Sequence, residues 1–293
     1  MASLTTASAR SVVSEPHHRR RFGFGKIVTV LLLAAASVVM LAPIVYTIST
    51  SLRSPMESFT LPPKWIPTDP NWENYRTVFD TVPLKQFFLN STVVTFCIVI
   101  GQLITAALAG YAFARLEFPG RSILFWLVLS TLMIPLQATI IPVFVLISKW
   151  HLSDTLASLI LPALASAFGT FLMRQYFLQI PSDFEEAALL DGASQWEIFR
   201  SIYLPLAKGG LAVLAILTFN GYWNEFLRPL IFLSSQEKFT LPVGLVSLQG
   251  YMGTGSISVV LAGVLVSLIP VLIIYLIGQR YLVEGLMVGG LKG

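Results

Sequence analysis

Six long apolar runs constrain the fold of this chain more than any other feature of its sequence. A helix needs about 20 consecutive apolar residues to cross a bilayer, and each run is at or near that length. Only 12% of the residues are charged and the mean hydropathy is +0.75, whereas a soluble domain carries about 25% charged residues. The sequence therefore predicts an all-α, polytopic integral membrane protein with six transmembrane helices, at residues 27–48, 88–114, 123–148, 155–178, 208–233 and 258–279.

Three of these runs carry irregularities. The fifth is interrupted by the polar stretch NGYWNEFLRP, and the sixth contains Pro270, which a membrane helix tolerates as a kink. The first follows HHRRRFGFGK and loosely resembles a twin-arginine signal. Its apolar run is longer than the 7 to 15 residues or so of a signal core, so we expect an uncleaved first span.

The distribution of positive charge predicts the orientation. With a cytoplasmic N-terminus, twelve of the 19 lysines and arginines fall in inside segments and seven in outside segments, as the positive-inside rule favours. We therefore expect cytoplasmic tails at residues 1–26 and 281–293 around a membrane domain at 27–280. The outside loop 51–87 is predicted to be irregular with interfacial aromatic anchors, and the glycine-rich end of loop 234–257 to form tight turns.

A polar segment, residues 182–205, lies on the predicted inside between spans four and five. Ser182 with Glu185, and Ser194 with Glu197, have the spacing of capping boxes at helix starts. Gly192 lies between them and suits a left-handed helix end. The segment is therefore predicted to form two short helices joined at Gly192.

The surface of this segment indicates a contact partner. The second helix carries Trp196, Phe199, Ile202 and Tyr203 on roughly one face, and Ala187-Ala188 permits a close approach to the first. One interpretation is an amphipathic elbow resting on lipid headgroups. Acidic residues outnumber the single Arg200, however, and an acidic face is disfavoured beside anionic lipid, which favours docking of a protein.

The stretch EAALLDGASQWEIFRSIYLP resembles the EAA loop of ABC importer membrane subunits, and we call residues 182–205 the EAA loop. It matches that signature at Glu186, Ala187, Ala188, Gly192, Ile202, Leu204 and Pro205. Residues 27–293 as a whole resemble the sugar-importing branch, with its maltose-type and glycerol-phosphate-type systems. FPG at 118–120, WNEFLRPL at 223–230 and the tail QRYLVEGLMVGGLKG carry this wider resemblance.

The resemblance implies a permease subunit whose EAA loop contains the coupling helix, which fits a cleft on a separate ATPase. It assigns Glu186 to a polar contact with the ATPase and Gly192 to the turn, and the tail, with Gly289, Gly290 and Lys292, would reach toward the ATPase pair. We assign coupling to the ATPase to Glu185, Glu186, Ala187, Ala188, Asp191, Gly192 and Phe199.

The energy source must lie outside this chain. The sequence has no phosphate-binding loop of the Gly-x-x-x-x-Gly-Lys-Ser/Thr type, and the centres of spans one to four and six carry no ionisable residue for ion coupling. The chain is therefore expected to bind no cofactor and not to be an enzyme, with ATP and Mg²⁺ in a partner ATPase. No nucleophile–base pair is visible, and neither Cys97 nor the three histidines suggest a metal site.

The expected partners are a homologous second permease, two ATPase subunits, an extracytoplasmic solute-binding protein and membrane lipid. Nucleic acid is not expected, because the net charge of +4 is small and not clustered. The location implied is the bacterial cytoplasmic membrane. By resemblance, Gln249, Gly250 and Tyr251 in the glycine-rich loop would contact the binding protein.

Polar residues near the fifth span are candidates for the solute path: Gln137, Asn220, Trp223, Asn224 and Glu225. The alternative for Glu225 is an ion pair with Arg228 near the outer interface, with Trp223 as a headgroup anchor. For Gln137 it is an interhelical hydrogen bond. The expected solute is a sugar or short oligosaccharide, with glycerol-3-phosphate or a glycerophosphodiester as the alternative. An ion-coupled secondary carrier is a less favoured reading.

Overall fold

The computed structural model describes residues 24–57, 65–67, 69–250 and 255–290, and the regular elements in these ranges are all helical. This confirms the all-α fold class. The helices are α1 Phe24–Ser51, α2 Glu73–Thr81, α3 Leu84–Arg115, α4 Arg121–Ser130, α5 Leu136–Lys149, α6 Leu156–Ile160, α7 Ala167–Leu178, α8 Asp183–Leu190, α9 Gln195–Ile198, α10 Leu204–Leu206, α11 Lys208–Trp223, α12 Leu227–Phe232, α13 Leu241–Val246 and α14 Ile257–Gly290.

Three helices are each long and apolar enough to cross a membrane alone: Val28–Ser51 in α1, α3, and Ile257–Tyr281 in α14. Three further segments qualify as pairs of helices joined at a bend. They are Arg121–Met133 with α5, Leu156–Ala163 with α7, and Gln195–Leu206 with α11. Counting each pair as one span gives the six predicted from the sequence.

The sequence predicted continuous helices for the third and fourth spans, but both are bent. Prolines explain the bends. The third span turns by 102° where Pro135 follows Ile134, whose backbone is extended at ψ 116°. A proline forces its predecessor out of the helical region and supplies no N–H to the ladder. The fourth span bends by 40° just after the turn that contains Pro162. Pro270, by contrast, lies inside the continuous helix α14, as expected.

The fifth span is shorter than predicted. Helix α11 ends at Trp223 rather than continuing to residue 233, and its 16 residues cover about 24 Å. The polar residues Asn224 and Glu225 follow outside regular helix, and α12 then begins at Leu227. The polar interruption noted in the sequence is therefore a real break in the helix.

The chain divides into two compact units, Met1–Tyr46 and Thr47–Gly293. In the first, helix α1 carries exposed apolar side chains such as Val39 and Met40, as a lipid-facing helix would. In the second, α3 packs closely on α7 because Gly110 and Gly169 lie at their contact. A Cβ at Gly110 would stand 2.7 Å from Cβ of Met173, so a larger residue would push the helices apart.

The loops hold more helix than the sequence indicated. Loop 51–87 contains α2, and Asn74 Nδ2 donates hydrogen bonds to the carbonyls of Ser51 and Arg53, at the end of α1. Trp72, one of the aromatic residues of the loop, is exposed. The loop after α12 contains the buried helix α13. Helix α14 continues beyond the span to Gly290, so the tail from residue 281 is helical up to that point.

Candidate functional site

The EAA loop turns at Gly192 as the sequence predicted. Gly192 has φ +82°, the left-handed conformation that glycine adopts without steric cost. Its N–H donates to the carbonyl of Leu189 at 3.0 Å, and Ala193 N–H donates to that of Ala188 at 2.9 Å. These bonds satisfy carbonyl groups at the end of α8 and fix the angle at which the chain leaves it.

Of the two predicted capping boxes, the second is confirmed and the first is wrong. Glu197 N–H donates to Ser194 Oγ at 3.3 Å, and Ser194 N–H donates to Glu197 Oε2 at 2.7 Å. Ser182 makes no side-chain cap bond and has helical dihedrals. The Glu185 carboxylate instead accepts a hydrogen bond of 2.7 Å from the Tyr203 hydroxyl, because that buried phenol needs a partner.

The second half of the loop is not one regular helix. Phe199–Tyr203 form a π-helical turn, and Pro205 just beyond it has no N–H to continue an ordinary helical ladder. The predicted single apolar face is therefore wrong: Ile198, Phe199 and Tyr203 are buried, whereas Trp196 is 59% exposed. The buried rings pack with Tyr111 of α3 and with Phe177 of α7 in one cluster.

Arg115 bonds α3 to the end of α7, and both Arg115 and Tyr111 of α3 contact the loop. Arg115, at the end of α3, donates from Nη2 to the carbonyls of Phe177, at 2.7 Å, and Ile180. Its guanidinium lies 4.9 Å from the centre of the Tyr203 ring. Tyr111 Oη donates to Gln195 Oε1 at 2.8 Å. The loop is thus held against both α3 and the end of α7.

The residues predicted to couple to an ATPase divide into two groups. Glu186, Ala187, Asp191 and Gly192 are exposed. Ala188 and Glu185 are half-buried, and Phe199 is buried at 5% exposure, so Phe199 supports the loop from inside instead of forming part of its surface. Sequence reasoning missed Phe184 and Leu190, which are 51% and 89% exposed. Large apolar side chains left uncovered outside the membrane mark a surface that another protein covers.

A second group of predicted residues lies around the end of α11, where Trp223 is buried between helices. It is only 2% exposed, its Nε1 donates to the carbonyl of Ser267 at 3.1 Å, and its ring stacks on Phe219 with centroids 5.3 Å apart. A ring buried in this way is not a headgroup anchor, although Trp223 also lines a cavity of about 270 Å³. The ring holds α11 against α14.

Glu225 and Arg228 do pair, but inside the protein. Arg228 Nη2 donates to Glu225 Oε2 at 2.6 Å, its Nε donates to Oε1, and its Nη1 donates to the carbonyl of Leu159 at 3.2 Å. The Arg228 side chain is 7% exposed and the Glu225 side chain 13%, so the pair does not lie at a solvated interface. The pair lines a cavity of about 460 Å³ with Thr139 and Tyr222 and brings no net charge to it.

The amides of Asn220, in the last turn of α11, and of Asn224, just beyond its end, remain exposed, with Gly221 beside them. Asn224 Nδ2 donates to the Asn220 carbonyl at 2.9 Å, and a Cβ added at Gly221 would meet no atom within 4 Å. Gly221 borders the larger cavity, and Asn224 borders a second one of about 270 Å³. This open, polar face runs between the two cavities.

The remaining predicted residues lie near these cavities. Gln137 is exposed one residue beyond Leu136 of the larger cavity, and in the described part of the chain it makes no interhelical hydrogen bond. Gln249 borders the smaller cavity, and its carbonyl accepts from Gly255 N–H at 2.7 Å. Gly250 is exposed with φ +65°. Tyr251 lies outside the described residues. Among the described residues no acidic, histidine or cysteine cluster could hold a metal ion.

Residues 102–286 match the family described as the binding-protein-dependent transport system inner membrane component. The chain belongs to this family. The match covers the EAA loop, the cavities and most of α14. It confirms the resemblance drawn from the sequence, and it makes the chain an ABC importer permease of the inner membrane.

Relatives of this permease match three quarters or more of its length. The arabinooligosaccharides transport system permease protein AraQ of Bacillus subtilis (strain 168) is 35% identical over 284 residues, covering 94% of this chain and 99% of AraQ. AraQ of Halalkalibacterium halodurans is 39% identical over 222 residues, covering 75% and 79%. The sn-glycerol-3-phosphate transport system permease protein UgpE of Salmonella typhimurium is 34% identical over 269 residues, covering 88% and 94%.

A solved structure shares the permease fold. It is a chain of a bacterial ABC transporter involved in the import of the acidic polysaccharide alginate. The TM-score is 0.79 with 27% identity, over 91% of this chain and 99% of that one. The broken spans and the bent EAA loop therefore belong to a fold that an importer of carbohydrate uses.

Proposed function

We propose that this permease moves a sugar or short oligosaccharide across the bacterial cytoplasmic membrane by alternating access. It works with a homologous second permease, two ATPase subunits that hold ATP and Mg²⁺, and an extracytoplasmic solute-binding protein. Both termini and the EAA loop face the cytoplasm. Family membership and the AraQ relatives support this proposal.

The observation that carries the proposal is the way the EAA loop is built into the membrane helices. Its exposed surface, with Leu190 at the tip of α8, is available to a partner. Its inner side is bonded to α3 through Tyr111, and its Tyr203 ring packs on Phe177 near the end of α7 and against the Arg115 guanidinium. Its chain runs on through α10 into α11, which borders both cavities. Movement of a docked ATPase would therefore shift three membrane helices together.

Glu186 is the proposed polar contact on that surface. It is exposed on α8, and its small neighbour Ala187 leaves room for a partner to approach. We expect Glu186→Ala to lower transport-linked ATP hydrolysis, because an ion pair or hydrogen bond to the ATPase is lost. Glu117→Ala, at an exposed site in the loop between α3 and α4, is the matched control and should retain transport-linked ATP hydrolysis. Full hydrolysis in Glu186→Ala would remove that residue from the contact.

The open face of α11 fits a neutral, hydroxyl-rich solute. Amide side chains both donate and accept hydrogen bonds, as sugar hydroxyls require. Polar groups on a membrane-spanning helix are costly against lipid, so a face bearing Asn220 and Asn224 belongs on a path or an interface. Arg228, the buried arginine at the larger cavity, is neutralised by Glu225. Glycerol-3-phosphate, suggested by the UgpE relatives, is an anion. The positively charged groups that bind it would have to come from the second permease.

The deciding experiment is uptake into proteoliposomes that contain the whole complex, with ATP inside and the binding protein outside. We expect labelled arabino-oligosaccharide to enter only with ATP and binding protein, and to continue entering after ionophores collapse the ion gradients. Uptake that stops with the gradients while ATP remains would identify an ion-coupled carrier instead. Labelled glycerol-3-phosphate forms the second arm, and its preferential uptake would select the alternative solute.

A further inference from the structure

We infer that the hydrogen bond between Glu185 and Tyr203, here called the Glu185–Tyr203 bridge, makes the EAA loop rigid enough to transmit force. This inference rests on the proposed function, since it concerns how force from an ATPase reaches the membrane helices. It gives Glu185 a positioning role that differs from that of its neighbour Glu186. The two glutamates are adjacent in sequence, yet one is half-buried and bonded while the other is exposed.

The bridge joins the two halves of the loop across its bend. Glu185 belongs to the first turn of α8, and Tyr203 ends the π-helical turn 18 residues later. Gly192, with its left-handed backbone, lies between them. Without a bond across this bend, the two halves are connected by the turn itself and by packing at the half-buried Ala188.

The two halves differ in how firmly they are held. The second half is anchored by three buried side chains and by the bond from Tyr111 to Gln195. Helix α8, in contrast, has no fully buried residue. A partner that pushes on its exposed surface would therefore rotate α8 about Gly192 unless Glu185 holds it to Tyr203.

The chemistry of the bridge suits this role. A carboxylate that accepts from a phenol makes a charge-assisted hydrogen bond, which is stronger than a neutral one. Tyr203 is fully buried, so its hydroxyl has a fixed direction. The Arg115 guanidinium over the tyrosine ring connects the same residue to the end of α7. Force applied to α8 thus passes through Glu185 to Tyr203 and onward to α7 and α11.

The test compares variants in the reconstituted complex. Tyr203→Phe and Glu185→Ala each remove the bridge, whereas Glu185→Gln keeps an acceptor oxygen. Tyr176→Phe is the matched control, since that tyrosine lies in the same cluster and its hydroxyl makes no hydrogen bond in the described part of the chain. The readouts are copurification of the ATPase and the number of solute molecules moved per ATP hydrolysed.

We expect both bridge-removing variants to retain the ATPase but to lower the transport ratio by about tenfold or more, the equivalent of one hydrogen bond to a charged group. The double variant should be no worse than either single one, because both changes remove the same bond. Tyr176→Phe should stay near wild type, and Glu185→Gln, which keeps a neutral acceptor but loses the charge, should lie between wild type and the bridge-removing variants. An unchanged ratio in both bridge-removing variants, or effects that add in the double variant, would overturn the inference.

A second measurement does not depend on the ATPase. In the full-length permease, Tyr203→Phe should speed hydrogen exchange at the α8 amides while leaving those of α11 unchanged. Equal exchange in α8 of the variant and the wild type would refute the bridge even if transport is altered. A wild-type complex that couples no ATPase would refute the proposed function, and the exchange result would still decide the bridge.

Discussion

Gln102 donates a 2.8 Å hydrogen bond from its side-chain Nε2 to the carbonyl oxygen of Ala163, at the bend between α6 and α7. The bend leaves carbonyls without helical partners, and in a membrane such groups must be satisfied by the protein. Thr105 Oγ1 donates to the next carbonyl, that of Leu164, at 2.8 Å. Gln102 Oε1 also accepts from Thr218 of α11 at 3.1 Å. One buried glutamine thus links α3, the bend and α11.

Replacing Gln102 with leucine should destabilise the permease. The change leaves the Ala163 carbonyl and the Thr218 hydroxyl without this partner, at a cost of about 1 to 3 kcal/mol in the free energy of unfolding. Unfolding by detergent titration in mixed micelles measures it. Gln279→Leu, at an exposed glutamine of α14, is the control and should change stability little. Equal stability of the two variants would show that the bend does not depend on Gln102.

Gly192→Val should leave the protein in the membrane but weaken attachment of the ATPase. A Cβ at this position meets no atom within 4 Å, so the cost is backbone strain alone, about 1 to 3 kcal/mol for a β-branched residue at φ +82°. The strain is relieved by changing the turn, which moves α8. Gly209→Val is the matched control, because Gly209 also faces open space but lies in ordinary helix. The measurement is ATPase copurification, and equal recovery with both variants would contradict the docking role.

Gly221→Trp should abolish solute transport without releasing the ATPase. An indole at this site would fill the open space between the two cavities and cover the amides of Asn220 and Asn224. Leu124→Trp, at an exposed position of α4, is the control for adding the same bulk elsewhere on the membrane surface. Uptake by both variants is compared in proteoliposomes. Transport by Gly221→Trp at the wild-type rate would place the path elsewhere.

The sequence predicted the number of spans and the position of the turn in the EAA loop, because apolar length and a left-handed glycine are local signals. It did not predict the bends in spans three and four. A proline in a membrane helix can kink or break it, and the outcome depends on partners such as Gln102, which lie far away in the sequence. Pro270 shows the difference, since the helix around it is continuous.

The inner side of the candidate site was harder to predict for the same reason. Glu185 lies three residues after Ser182, the spacing of a capping box. Its carboxylate nevertheless accepts a hydrogen bond from the buried hydroxyl of Tyr203, which is distant in the sequence. Trp223 is of a residue type that is common at membrane interfaces, yet it is packed between helices. Local pattern located the EAA loop, but it missed the exposed Phe184 and Leu190 and could not tell that Phe199 faces inward.

Asp154 should make stability depend on pH. Its carboxylate accepts from Ser235 Oγ at 2.5 Å and from the N–H groups of Ser234, at 2.8 Å, and Ser235, at 3.0 Å, which join the loop after α5 to the loop after α12. These bonds, led by that of the Ser235 hydroxyl, lower the pKa of Asp154 below its ordinary value of 3.8. The stabilisation is therefore complete above that value and is lost as pH falls through the lower, folded-state pKa.

The melting temperature of wild type and Asp154→Asn should accordingly differ at neutral pH and converge in acid. The expected order is wild type above the variant, and the gap should begin to close only below about pH 4, where the unfolded chain takes up the proton. Asp80→Asn, which removes an exposed carboxylate near Arg76, is the control and should show little gap at any pH. A gap for Asp154→Asn that is independent of pH would contradict the assignment.

The most direct test of the account is cross-linking of the EAA surface in the intact complex. The chain has one native cysteine, Cys97, so Cys97→Ala provides a background for single introduced cysteines. Leu190→Cys on α8 and Trp72→Cys before α2 are both at highly exposed positions. With a short cysteine-to-lysine cross-linker, we predict that Leu190→Cys is joined to the ATPase subunit and Trp72→Cys is not. Failure of Leu190→Cys to cross-link in a complex that is active in ATP-driven uptake would contradict the central claim that this surface is where the motor acts.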